Sequence, residues 1–94
     1  MAKMKKYNIT PTSRFIKELA RLSDENKGQV METLDLMSVT PFYPSLRTKK
    51  FRKLYESSVN MDIRIMWRQE PPQTINVLRV GHHDIIRRLN KRKK

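Results

Sequence analysis

The apolar pattern of this 94-residue chain predicts an α+β domain: a two-helix hairpin packed on one face of a small, mainly antiparallel four-stranded sheet, in the order β-α-α-β-β-β. Apolar residues recur at helical spacing in two consecutive stretches, Phe15, Ile16, Leu19 and Leu22, then Val30, Met31, Leu34 and Met37. Residues 61–67 alternate instead, with Met61, Ile63, Ile65 and Trp67 set against Asp62, Arg64 and Met66, the period of a half-buried strand. Pro71-Pro72 separates that run from a second strand-like run at 74–80 and marks a hairpin connection.

A short first strand is expected at 5–9. Thr10-Pro11 then reads as a helix start, Thr10 as N-cap and Pro11 at the first helical position. Lys17, Glu18 and Arg21 form the polar side of this helix, and Ser23-Asp24-Glu25-Asn26 interrupts it and caps the next. Gly28 near the start of the second helix costs up to about 1 kcal/mol relative to alanine. Residues 40–44 contain two prolines and two aromatics and read as a loop, followed by a basic segment at 47–53 and a strand at 54–59. Ile63, Ile65 and Trp67 should face the helices, and Asp62 and Arg64 the opposite side. Strict alternation along the last strand groups Ile75, Val77, Arg79, Gly81 and His83 on that opposite side too. One domain spans 1–89, and 90–94 form a basic, disordered tail.

The charge balance, 21 Lys/Arg against 9 Asp/Glu for a net +12, steers the protein toward anionic partners. No run approaches the roughly 18 apolar residues that span a membrane. The basic start lacks a following apolar region, so it is not a secretory signal. The absence of cysteine excludes disulfide and thiolate chemistry and fits a cytoplasmic address. With 37% hydrophobic residues the chain fills one modest core, and no cofactor is expected. No metal is expected either: His82, His83 and Asp84 are consecutive, and strand neighbours point to opposite faces.

The only histidines, His82 and His83, sit at the end of the last strand of a very basic chain. Imidazole titrates near neutral pH, as a general acid or base must, and the substrate suited to such a surface is a polyanion. RNA cleavage by the 2′-OH needs a base, an acid for the 5′ leaving oxygen, and positive charge where the phosphorane forms. Strand geometry allows His83, Arg64 and Asp62 to supply these, with Arg47, Lys49, Lys50 and Arg79 binding substrate and Tyr55 stacking on a base. The plainer alternatives are a solvated histidine pair, an Asp62–Arg64 surface ion pair worth at most about 1 kcal/mol, and a solvated basic face. Trp67 reads as core.

The chain resembles the RelE/ParE toxins of bacterial and archaeal toxin–antitoxin modules. The resemblance runs from Tyr7 to about Leu89 and rests on the element order and three motifs. These are Pro44-Ser45-Leu46-Arg47-Thr48-Lys49-Lys50, the stretch Tyr55-Glu56-Ser57-Ser58-Val59-Asn60-Met61-Asp62-Ile63-Arg64-Ile65, and Val80-Gly81-His82-His83-Asp84. It implies a type II toxin, in the RelE/YafQ-like branch a metal-independent endoribonuclease that cuts mRNA on the ribosome and stops translation. ParE-like members of the same fold inhibit DNA gyrase instead, and a non-catalytic nucleic-acid-binding module is a further alternative. In the nuclease reading the phosphate-stabilising arginine falls on Arg64, the acid/base position on His83, and a carboxylate on Asp62. Tyr55 and Ser57 stand where some members have lysines, and Ile85–Leu89 contains no aromatic where many members have one. The implied partners are mRNA, the ribosome and a cognate acidic antitoxin, the toxin being a monomer or part of a hetero-oligomeric complex with it. Ile75 and Val77, read as exposed beside a cationic groove, or else the helical hairpin, would receive the antitoxin.

Overall fold

Two long antiparallel strands, β4 (Ile63–Glu70) and β5 (Thr74–His82), form the centre of the sheet in the computed structural model, which describes residues 6–84. Before them come β1 (Asn8–Pro11), α1 (Ser13–Ala20), α2 (Asp24–Val39), a single 3₁₀ turn at Pro44–Leu46, β2 (Lys49–Phe51) and β3 (Leu54–Ser58). The sheet has five strands in the order β1-β5-β4-β3-β2, antiparallel except that β1 runs parallel to β5. The strand beyond the expected four is β2, inside the basic segment. All three of its residues are exposed, so no apolar alternation advertises it. No helix among the described residues is long and apolar enough to cross a membrane.

Local chemistry sets the helix boundaries. The first N-cap is Thr12 rather than Thr10: its Oγ1 accepts from Phe15 N–H at 3.1 Å and donates to the Leu78 carbonyl at 3.0 Å. Pro11 therefore ends the edge strand, where a missing N–H costs no ladder bond. Ser23 caps α2 as expected, accepting from Asn26 N–H, with Asp24 and Glu25 in the first turn favoured by the helix dipole.

The core lies between the helices and one face of the sheet. Phe15, Val30, Leu34 and Met37 from the helices meet Leu46, Ile63, Ile65, Trp67, Ile75, Val77 and Val80. Ile16 and Met31, which helical spacing had assigned to the buried stripe, are exposed, as is Met61, which precedes β4. Below the core, Trp67 Nε1 donates to the buried Ser57 hydroxyl at 2.9 Å, which in turn lies 2.7 Å from Thr48 Oγ1.

Ile75 and Val77 are the main correction. Both are fully buried under the helices, not exposed with Arg79 and His83. The register explains it: Met66 pairs with Arg79 but Trp67 pairs with Val77, leaving Leu78 as an extra residue in β5. This β-bulge reverses side-chain parity, so Val77 and Val80 both face the core, three positions apart. The apolar landing site for an antitoxin at Ile75 and Val77 is therefore absent. The expected tail at 90–94 lies outside the described residues.

Candidate active site

The end of the sheet where β4 meets β5 is organised by the turn before β4. Asn60 Oδ1 accepts from Asp62 N–H at 2.8 Å and Ile63 N–H at 2.9 Å, starting the strand. Its Nδ2 donates to Gln29 Oε1 at 2.6 Å and Asn26 Oδ1 at 3.1 Å, tying the turn to α2. Arg64 Nη1 folds back onto this turn, donating to the carbonyls of Asn60 (2.6 Å) and Met61 (3.1 Å). On its other side Arg64 Nε lies 3.6 Å from Glu56 Oε2, with Arg64 18% and Glu56 only 4% exposed. The other Glu56 oxygen is buried and has no hydrogen-bond partner among the described residues.

Arg64 also lines a cavity of about 300 Å³ together with Ser45, Arg47, Ser58, Val59, Asn60 and Met61. Two guanidinium groups, two hydroxyls and an amide around one concavity are the donors that a phosphate needs. Arg47 reaches it from a left-handed backbone conformation, φ 48°, that closes the 3₁₀ turn.

The ladder pairs Arg64 with Gly81 and Ile63 with His82, and His83 N–H donates to the Asp62 carbonyl at 2.8 Å. Arg64 and Gly81 therefore share the face turned away from the helical core, and His83, the first residue beyond β5, follows His82 with its backbone bonded to Asp62, the residue before β4. The imidazole is partly exposed; its Nε2 lies 3.0 Å from Asp84 Oδ1, and its Nδ1 is buried without a partner among the described residues. Asp84, not Asp62, is thus the carboxylate beside the ring. His82, paired with Ile63, belongs to the other face and is exposed.

The remaining candidates scatter. Lys49 pairs with Glu56 on the Arg64 face, whereas Lys50 pairs with Tyr55 and sits over its ring at 5.8 Å on the other. Tyr55 is half-buried and stacks on Trp67 at 4.5 Å, so its ring belongs to the edge of the core. Arg79 is occupied by helix α1: its Nε donates to Glu18 Oε2 at 3.0 Å, its Nη2 binds the same oxygen, and Val80 N–H donates to Glu18 Oε1 at 3.1 Å. Reading by residue type missed Glu56, Asn60 and Asp84. Adjacency to His83 was the available signal for Asp84, and the strand spacing Glu56–Ser58 across from Arg64 the signal for Glu56. Among the described residues no cluster of three or more His, Asp or Glu could hold a metal ion.

The chain matches no protein-family model and no curated protein in sequence. Solved structures do match. The toxin–antitoxin complex RelBE2 from Mycobacterium tuberculosis aligns at TM-score 0.72 and 22% identity over 86% of this chain and 95% of the matched one. The RelB–RelE antitoxin–toxin complex from Methanococcus jannaschii aligns at 0.69 and 17%, over 85% and 96%. The YoeB/ParE toxin from Agrobacterium tumefaciens aligns at 0.68 and 14%, over 85% and 99%. The chain has the RelE/ParE toxin fold.

Proposed function

We infer that this protein is the toxin of a type II toxin–antitoxin module and cuts mRNA on the ribosome by 2′-OH attack. The observation that carries this reading is the meeting of Arg64, Asp62 and His83 at one end of β4 and β5, where His83 N–H bonds the Asp62 carbonyl, next to a cavity with two arginines. Asp62, exposed and with its carboxylate outside the Arg64 pair, removes the 2′-OH proton. The 2′ oxygen attacks phosphorus, and Arg64 with Arg47 balances the charge that builds on the phosphorane oxygens. His83 Nε2, the accessible ring nitrogen now beside Asp84, swings its proton to the 5′ oxygen as the P–O5′ bond breaks, leaving a 2′,3′-cyclic phosphate and a 5′-hydroxyl. Lys49 and Lys50 hold flanking phosphates. An acidic antitoxin suits the +12 chain, as the antitoxin-bound state of its structural relatives suggests.

Induced expression with mapping of transcript 5′ ends tests the reading. Wild type should produce new 5′ ends at positions covered by ribosomes, and His83→Ala should produce few or none. Equal cutting by the variant, or intact transcripts with gyrase-dependent DNA breaks, would overturn it.

A further inference from the structure

The cavity and the β4–β5 end leave the aromatic rings of one conspicuous segment unused. Residues 36–55 contain no acidic side chain, five Lys/Arg (Arg47, Lys49, Lys50, Arg52, Lys53) and four of the seven aromatics. Phe42, Tyr43 and Phe51 are 52%, 49% and 40% exposed, unusual for rings of this size in a chain with only seven. Phe42 packs against Tyr55 at 5.4 Å and Trp67 at 5.8 Å, and Tyr55 stacks on Trp67. The three rings run from the fully buried Trp67 to Phe42 at the surface. Both non-glycine residues with positive φ among those described, Arg47 at 48° and Arg52 at 58°, are arginines of this segment. Ser45 and Arg47, which follow Tyr43 in the same segment, line the cavity, so the segment reaches the proposed cleavage site.

We propose that this surface, centred on Phe42 and Tyr43, with Lys50 over the neighbouring Tyr55 ring and Arg47, Arg52 and Lys53 in the same basic segment, is a stacking platform for unpaired RNA bases beside the cleavage site. Aromatic faces among cations with no carboxylate between them match a strand that offers both bases and phosphates. An acidic protein segment could cover the rings as well, but it would not distinguish a base-bearing strand from an abasic one. Phe42 is held by Tyr55 and Trp67 before any ligand arrives, so a base landing on it orders little that is not already ordered. The proposal rests on the reading of the protein as one that acts on RNA, and it adds where the strand beside the cut is held.

The test uses the full-length wild-type chain and strands without a 2′-OH, which it cannot cut: a short oligodeoxyadenylate and an abasic strand of equal length. The base-bearing strand should bind roughly tenfold more tightly, since stacking is sequence-tolerant but needs a base. Tyr43→Ala should remove most of that difference and leave the salt dependence of binding unchanged. Phe42→Leu, which keeps an apolar contact with Tyr55 and Trp67, should do the same. Equal binding of the two strands by wild type would overturn the proposal. So would variants that keep the full difference, or that lose only a co-purifying acidic protein. Transcript cutting is scored separately. Cutting without base-dependent binding sinks the platform alone; base-dependent binding by a chain that cuts nothing sinks the nuclease reading alone.

Discussion

Asn60 holds Arg64 from behind: the Asn60 carbonyl accepts from Arg64 Nη1 at 2.6 Å while its side chain bridges the start of β4 to helix α2. The guanidinium that would meet a phosphate is therefore positioned by a turn, and the turn by a helix on the far side of the sheet. Asn60→Ala removes two acceptor and two donor contacts at a half-buried site. It should cost about 2 kcal/mol in urea unfolding. Transcript cutting should fall further than stability explains, because Arg64 loses its seat. Asn60→Asp keeps the acceptors for Asp62 and Ile63 N–H and should recover part of the loss.

Arg64 and Glu56 form a largely buried pair, which shapes any test of the arginine. Arg64→Ala leaves the Glu56 carboxylate buried and unpaired, at a cost of about 3 kcal/mol. Glu56→Gln combined with Arg64→Ala should recover much of that stability without restoring cutting. A double-mutant cycle by denaturant titration checks the coupling. Additive effects of the two substitutions would show that the pair contributes nothing.

The carboxylate of Glu18 clamps β5 just past its bulge, where β1 no longer pairs with it. Glu18→Ala should destabilise the fold by about 2 kcal/mol through the lost partners of Arg79 and Val80 N–H. Hydrogen exchange at the Val80 amide should quicken more than at Ile65, its partner across the ladder.

Deleting Leu78 should be far more damaging than any substitution there. Without the extra residue, Ile75 and Val77 turn to the second face if the end carrying His83 keeps its register with β4. Each buried aliphatic is worth about 1.5–3 kcal/mol, so the two together remove about 3–6 kcal/mol, a large share of the stability of a small domain. Circular dichroism should show an unfolded chain, whereas Leu78→Ala should remain folded.

Arg79 and Tyr55 show where residue type misleads. Both look like ligand contacts in a list of basic and aromatic side chains, yet one neutralises Glu18 and the other stacks on Trp67. Partners more than ten residues away in sequence decided both roles, and nothing near them in the chain announces those partners. The pairing of Arg64 with Gly81 follows from ladder alternation, because the bulge at Leu78 lies before Gly81, and His83 comes two residues later at the same sheet end.

Periodicity and the Pro71-Pro72 break determined the two helices, the central hairpin and the opposite facing of Arg64 from Ile63 and Ile65, because helix, strand and turn signals are local properties of the backbone. The fifth strand, the burial of Ile75 and Val77, and the seating of Arg64 between Asn60 and Glu56 were decided by tertiary structure. Each depends on register and on pairing between distant segments, and one extra residue in a ladder reverses every inside-to-outside assignment beyond it.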